Sequence, residues 1–363
     1  MRIAILGGGN GSFAAAGDFA LRGHEVRLWR RDKAAVADHI ANGGTIIVKD
    51  ITGAHNARLA LVTDDIAKAV DGAELIFCPA PATSHDDIAA ALAPCLKADQ
   101  VVFLAPGTLG TLIFAHAAKS NSQAKNVCFA ETGTLPWLAR KHGPYEVAIT
   151  TRATRLPVGV FPAKSEDHAL AVIGQAFPGV IEACGDALSG ALMNAGPIIH
   201  PPLILMNAGP LEHFDRWDIH NEGTQPSIRH VTDLLDRERI AVRQGLGYGA
   251  PHFPLADHYK EDGDEWMYGR RSHNQLTKSG DWREHIDLKT HRYMREDTLL
   301  GLSLLVSVAR LAGVDTPLAQ SFLTLGSAIC DFNAAKEGRT LARLGLGAYD
   351  RAGLQNYLKT GVA

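Results

Sequence analysis

The stretch Leu192–Pro210, LMNAGPIIHPPLILMNAGP, is apolar enough for a core helix, yet it carries His200, two asparagines and four prolines. Histidine titrates near neutrality, which suits general acid–base work. A histidine in an apolar run is more often a hydrogen-bonded core residue, but Gly196-Pro197 and Pro201-Pro202 favour the chemical reading here. Each proline removes a backbone donor and re-aims the side chains around it. Asn194 and Asn207 either satisfy backbone groups freed by the kinks or bind a substrate. The second dense stretch, REHIDLKTHRYMREDTLLGL, runs from Arg283 to Leu302. Asp297 either caps a helix that starts there or orients His200 and stabilises its cationic form. Arg292 and Arg295 are surface charges or a clamp for a carboxylate.

The opening residues, MRIAILGGGNGSFAAAGDFALRGHEVRLWRRD, supply what such a histidine would act beside. Arg2–Leu6 reads as a strand, Gly7 to Ser12 as a turn, Phe13–Leu21 as a helix and Glu25–Trp29 as a second strand. Gly7 permits the tight turn, and Gly9 lets backbone approach a pyrophosphate. Asn10 and Gly11 complete the turn, and Ser12 fills the third glycine position of a dinucleotide-binding string. The following helix offers its unpaired N–H groups to phosphate oxygens. An acid at the end of the second strand would bind the ribose hydroxyls of NAD. Arg30 and Arg31 stand there instead, so the expected cofactor is NADP(H), with NAD(H) also compatible. The competing reading of the two arginines is a solvated surface pair.

Further strands are expected at Ala73–Cys78, Gln100–Leu104 and Asn126–Glu131, separated by helices near 84–96 and 110–119. That alternation implies an α/β, Rossmann-type, doubly wound parallel sheet over residues 1–184. Pro79 and Pro106 fall just past strand ends, where such sheets place ligand-contacting loops. His85 either touches cofactor there or starts a helix. Residues 185–363 read as an all-helical domain carrying the substrate chemistry, with helical runs at 230–243, 297–312 and 316–332. The twin LMNAGP hexads are too short to signal a repeat architecture. His200 is expected on a helix broken by its prolines and glycines, facing the cofactor cleft and meeting Asp297 across it.

Composition sets the outer bounds. Hydrophobic residues make up 46% and charged residues 21%, as in ordinary soluble domains. A net charge of −3 leaves no basic excess for nucleic acid. The five cysteines are scattered without a CxxC, which suits reduced cytoplasmic thiols and neither a disulfide framework nor a zinc site. The opening residues lack signal-peptide design, no membrane is expected, and no metal ligand set stands out.

GGGNGS, NAGPIIHPP and HRYMRED, in that order, resemble the octopine/nopaline (opine) dehydrogenase family over nearly the whole chain. The wider group that shares the first motif lacks this His–Asp arrangement. The resemblance implies that His200 is the catalytic histidine, Asp297 its partner and Arg292 the arginine that holds a substrate carboxylate. It also implies the reaction: an amino acid condenses with a 2-oxo acid, and NAD(P)H reduces the imine, or the reverse oxidation runs. The small-molecule partners are then an amino acid and a 2-oxo acid, and a homodimer is compatible. Two alternatives stand beside it. A hydroxy-acid or sugar-phosphate dehydrogenase on the same scaffold would use a lysine more naturally than a His–Asp pair. A non-catalytic NADP-binding redox sensor would need neither His200 nor Asp297.

Overall fold

The first unit of the fold forms where the glycine string requires it. In the computed structural model, which describes residues 1–262 and 265–362, β1 (Arg2–Leu6) leads through the glycine turn into α1 (Asn10–Leu21) and on to β2 (Glu25–Trp29). α2 (Lys33–Ala41) follows, its first turn capped by the Asp32 side chain, which accepts from the Ala35 amide. A hairpin of β3 (Thr45–Asp50) and β4 (Gly53–Arg58) then interrupts the alternation. It resumes with β5 (Leu61–Thr63), α3 (Ile66–Val70), β6 (Leu75–Cys78), α4 (His85–Leu92), β7 (Val101–Leu104), α5 (Gly110–Ala118) and β8 (Cys128–Thr132). A second hairpin, β9 (Trp137–Gly143) with β10 (Glu146–Arg152), precedes β11 (Leu156–Phe161), α6 (Glu166–Ala176) and β12 (Ile181–Asp186).

The main sheet runs β12-β11-β8-β7-β6-β1-β2-β5. Every neighbouring pair is parallel except β11 and β8. From β1 the chain builds outwards to β2 and β5, then returns to lay β6, β7 and β8 on the other side. This is a Rossmann-type sheet, and its switch point between β1 and β6 is where such sheets open a crevice at their carboxyl ends. β6 and β7 are buried along their whole length, as parallel strands covered on both faces must be.

The second sheet, β4-β3-β10-β9, was not expected from the sequence. It packs on α1, where a side chain larger than that of Gly17 would collide with Val48. Polar bonds fix the same contact. Asp18 accepts from Trp137 Nε1 at 3.0 Å and from Arg152 Nε at 2.9 Å, and Arg152 also reaches Asp50. Beneath it Phe19, Phe77, Phe103, Trp137 and Phe177 form one aromatic cluster, with neighbouring ring centroids 5.2 to 6.1 Å apart. Each buried ring contributes on the order of 1.5–3 kcal/mol by removal from water.

The chain divides into two compact units at Gly190, a little beyond the expected 184. β12 pairs with β11 as far as Asp186, and Gly190 packs its backbone against Gly159 and the Glu131 carbonyl, so these residues stay with the sheet. α7 (Ala187–Ala191) lies at the division. The second unit holds α8 (Gly196–Leu205), α9 (Ala208–His213), β13 (Trp217–Asp218), α10 (Pro226–Gly245), α11 (Ser272–Ser279) and β14 (Arg283–Glu284). A π-helix (Tyr293–Gly301) then runs directly into α12 (Leu302–Ala312), followed by α13 (Pro317–Cys330). The unit is helical with one small antiparallel ladder, β13 with β14, so the all-helical expectation needs that correction.

Two sequence readings of this unit also change. α8 is not broken at His200: it continues through Pro201 and Pro202 and turns only at its two ends. Asp297 does not start a helix either. It is inside the π-helix, whose wider winding lets the Leu302 amide donate to the Asp297 carbonyl.

Candidate active site

α8 and the π-helix cross where small residues allow it. A methyl group on Gly301 would collide with the Pro197 ring, and one on Gly196 with Asp297 Oδ1. The approach brings the two side chains singled out above together: His200 Nδ1 lies 2.7 Å from Asp297 Oδ2, although 97 positions separate them. Both residues belong to the second unit, so the bond does not span the two units as the sequence reading supposed. His200 keeps 13% of its side chain exposed and Asp297 only 4%. Burial pushes the Asp297 carboxyl up to about 7, against the pull of the Arg292 guanidinium. An ionised Asp297 accepts from Nδ1–H, which leaves Nε2 as the nitrogen for proton exchange.

What holds the imidazole was not legible in the sequence. Tyr293, fully buried, stacks on His200 with centroids 3.9 Å apart and planes 21° from parallel. His220, also buried, meets the ring edge-on at 5.8 Å. These contacts fix the plane of the ring, while Asp297 fixes its rotation about that plane. The Arg292 guanidinium lies 4.7 Å from the Tyr293 centroid and 3.9 Å from Glu296. Its side chain is 46% exposed, so the cation borders the dyad and still meets water. Arg295 instead donates to the Lys289 carbonyl.

Both asparagines have backbone partners. Asn194 Oδ1 accepts from the Gly196 amide at 2.9 Å at the start of α8. Asn207 Nδ2 donates to the carbonyls of Leu203 and Gly223, and its Oδ1 accepts from Trp217 Nε1. Arg239 anchors the same segment from α10, donating to the Leu192 carbonyl at 3.0 Å. Of the two roles open to the asparagines, these contacts favour the backbone one.

In the first unit, Gly7 leaves β1 with φ +125°, a conformation L side chains rarely adopt. Ser12 is buried beneath it. α1 opens at Gly9, which has no side chain to cap the helix, and a Cβ on Gly9 would point into open space. The first-turn amides are therefore positioned for an anion, and the loop fits a dinucleotide pyrophosphate. Gly11 packs against Pro79 across the switch point. Asn10 turns its Oδ1 to the Lys141 amide of β9. Pro106 follows β7, where Glu131 holds the next loop by accepting from the Leu109 and Thr111 amides. Arg30 lies over Gly8, its Nε 2.8 Å from where a Cβ would stand, and donates to the Ala35 carbonyl. Arg31 pairs with Asp87 on the exposed surface of α4. His85 is fully buried with Nε2 at the Ala80 carbonyl, as a packed helix-start residue.

Among the described residues, no group of three or more His, Cys, Asp or Glu side chains is placed to hold a metal ion. No helix among them is long and apolar enough to cross a membrane.

A switch-point glycine loop and a separate helical unit define an NAD(P)-dependent oxidoreductase of Rossmann type, and the likenesses to known proteins narrow that class. Residues 2–111 match the NAD-dependent glycerol-3-phosphate dehydrogenase N-terminus. Residues 183–330 match the NAD/NADP octopine/nopaline dehydrogenase alpha-helical domain. The opine dehydrogenase of Arthrobacter sp. (strain 1C) is 31% identical over 361 residues, covering 97% of each chain. The chain belongs to the opine dehydrogenase family. In fold it is similar to octopine dehydrogenase solved with NADH and L-arginine (TM-score 0.74, 17% identity, covering 100% of this chain and 98% of that one). It is also similar to yersinopine dehydrogenase solved with NADP+ (TM-score 0.63, 16% identity, covering 99% and 97%).

Proposed function

We propose that this enzyme acts at a carbon–nitrogen bond: it condenses an amino acid with a 2-oxo acid and reduces the imine with NADPH, or runs the reverse oxidation. The observation that carries the reading is the 2.7 Å His200–Asp297 bond, inside a helical unit of this family and held by the Tyr293 stack. In the condensing direction the neutral amine attacks the keto carbon; the C–N bond forms as the C=O π bond opens, and a proton passes from nitrogen to oxygen to give a carbinolamine. His200 Nε2 then donates its proton to the carbinolamine hydroxyl; the C–O bond breaks, water leaves, and the nitrogen lone pair forms the C=N bond of a protonated imine. Asp297 stabilises the imidazolium needed for that donation and keeps Nδ1 protonated. Arg292, half exposed beside Tyr293, holds a substrate carboxylate by a bidentate pair. Asn194 and Asn207 support the ends of α8 and are left out of the substrate contacts.

The Gly7–Ser12 loop and the start of α1 hold the cofactor pyrophosphate, with Pro79 and Pro106 on the neighbouring strand ends. Arg30 holds the 2′-phosphate that distinguishes NADP(H), while Arg31 stays with Asp87. The bound cofactor supplies the hydride that reduces the imine carbon.

The test is NADPH oxidation across a panel of amino acids, each with pyruvate or 2-oxoglutarate. The reading expects oxidation only when amine and 2-oxo acid are both present. Equal rates with a 2-oxo acid alone would instead identify a hydroxy-acid dehydrogenase, and no rate with any pair would favour a cofactor-binding sensor.

A further inference from the structure

Lys141 enters the cofactor loop from the second sheet. Its backbone amide donates to Asn10 Oδ1 at 3.0 Å, which pins β9 to the first residue of α1. Its ammonium lies 3.5 Å from the Gly8 carbonyl and 3.8 Å from the centre of the Phe13 ring. Arg30 reaches the same two groups from the end of β2: its Nε lies over Gly8, and its guanidinium is 5.6 Å from the Phe13 centroid. Two cations from different elements thus converge on one residue and one ring.

Arg31 pairs with Asp87, Lys49 pairs with Glu146, and Arg30 itself donates to a backbone carbonyl. Among the described residues, no carboxylate lies within 4.0 Å of either Arg30 or Lys141. Burial lowers the Lys141 pKa, and repulsion by the Arg30 guanidinium lowers it further. His39 stacks on the same Phe13 ring, and burial lowers its pKa against the pull of the Thr45 carbonyl at Nε2. A phosphate monoester carries a charge of about −1.5 to −2 near neutrality, and seated between the two cations it would relieve their repulsion. A ribose hydroxyl in the same place would not.

We infer that Lys141 is the second cation of a 2′-phosphate site and selects NADP(H) over NAD(H) together with Arg30. The inference rests on the cofactor reading above and adds to it a specificity residue supplied by β9. The pyrophosphate, shared by both cofactors, is the other phosphate within the loop's reach, so the test must separate the two.

Dissociation constants of NADPH and NADH are measured by fluorescence for the unmodified protein, Lys141→Met and Lys141→Arg. Methionine keeps an unbranched stem over Phe13, and thermal unfolding checks that each variant is folded. Lys141→Met is expected to weaken NADPH on the order of ten- to a hundredfold, the range of a charge-assisted hydrogen bond. NADH should weaken by about threefold or less, and Lys141→Arg should retain most of the preference. Equal loss for both cofactors would assign Lys141 to the pyrophosphate and overturn the inference; so would unchanged binding of both. If the unmodified protein prefers NADPH and Lys141→Met keeps that preference, Lys141 alone fails. If the unmodified protein binds both equally, the Arg30 reading fails with it.

Discussion

Asp297→Asn isolates the charge of the dyad from its shape. The amide occupies the carboxylate's volume, so the crossing of α8 and the π-helix at Gly196 and Gly301 stays intact. Two things are lost. The anion facing Nδ1 at 2.7 Å no longer stabilises an imidazolium, a charge-assisted interaction worth about 1.5–3 kcal/mol. The amide also turns its N–H towards Nδ1, which reverses the tautomer and leaves the proton on Nε2. Together these should reduce kcat by about 10²–10⁴-fold, the usual span for a general acid–base group. NADPH affinity should stay within about twofold, since the glycine loop lies in the other unit. His200→Ala should lose about as much, and the double variant little more, because the two residues act as one group. The pH profile gives an independent readout. Burial raises the Asp297 carboxyl from 3.8 to about 7, so the ionised form is present above that pH and lost below it. The acid limb of kcat/KM should therefore fall near pH 7, belong to the pair, and disappear in Asp297→Asn. Initial rates of NADPH oxidation measure both effects. A variant with kcat within about threefold of the unmodified enzyme, or with the limb in place, would refute the reasoning.

Other substitutions test the parts separately. Arg292→Lys keeps the charge but loses the planar fork, so KM for the 2-oxo acid should rise about tenfold with cofactor affinity unchanged; unchanged keto-acid kinetics would return Arg292 to the solvated surface. Gly301→Ala drives a methyl into Pro197, which should cost about 1–3 kcal/mol in denaturant unfolding and lower kcat by moving Asp297 from His200. Arg30→Asp should flatten or reverse the NADPH preference, at about 1–3 kcal/mol in the NADPH interaction, as read by titrating both cofactors.

The parts of this molecule that were legible in the sequence are those whose chemistry is local. Gly7 to Ser12 sits between apolar runs, so β1 and β2 could be placed to the residue, while α1 begins at Asn10, inside the expected turn, and not at Phe13. His200 and Asp297 stood out because an imidazole in an apolar run and a family motif marked them. The second sheet did not stand out: GAHNAR and WLARKHG are interrupted by polar and charged residues, and the two hairpins join only where β3 meets β10, far along the chain. For the same reason Lys141 went unnoticed, since only the fold of β9 onto α1 brings it to Gly8. Tyr293 and His220 were missed because ring stacking on His200 has no sequence spacing of its own. The π-helix escaped too; the sequence suggested an ordinary helix from Asp297, whereas the chain already winds more widely from Tyr293, as the Leu302 bond to Asp297 shows.

The most direct measurement of the proposed reaction follows a label. NADPH deuterated at its transferable position is supplied with a 2-oxo acid and an amino acid that together support oxidation, and the product is identified by mass spectrometry. The account predicts one deuterium in a secondary amine that joins both carbon skeletons, formed at a rate lower by about 10²–10⁴-fold in His200→Ala. Label found only in a 2-hydroxy acid, with the amino acid unchanged, would contradict it.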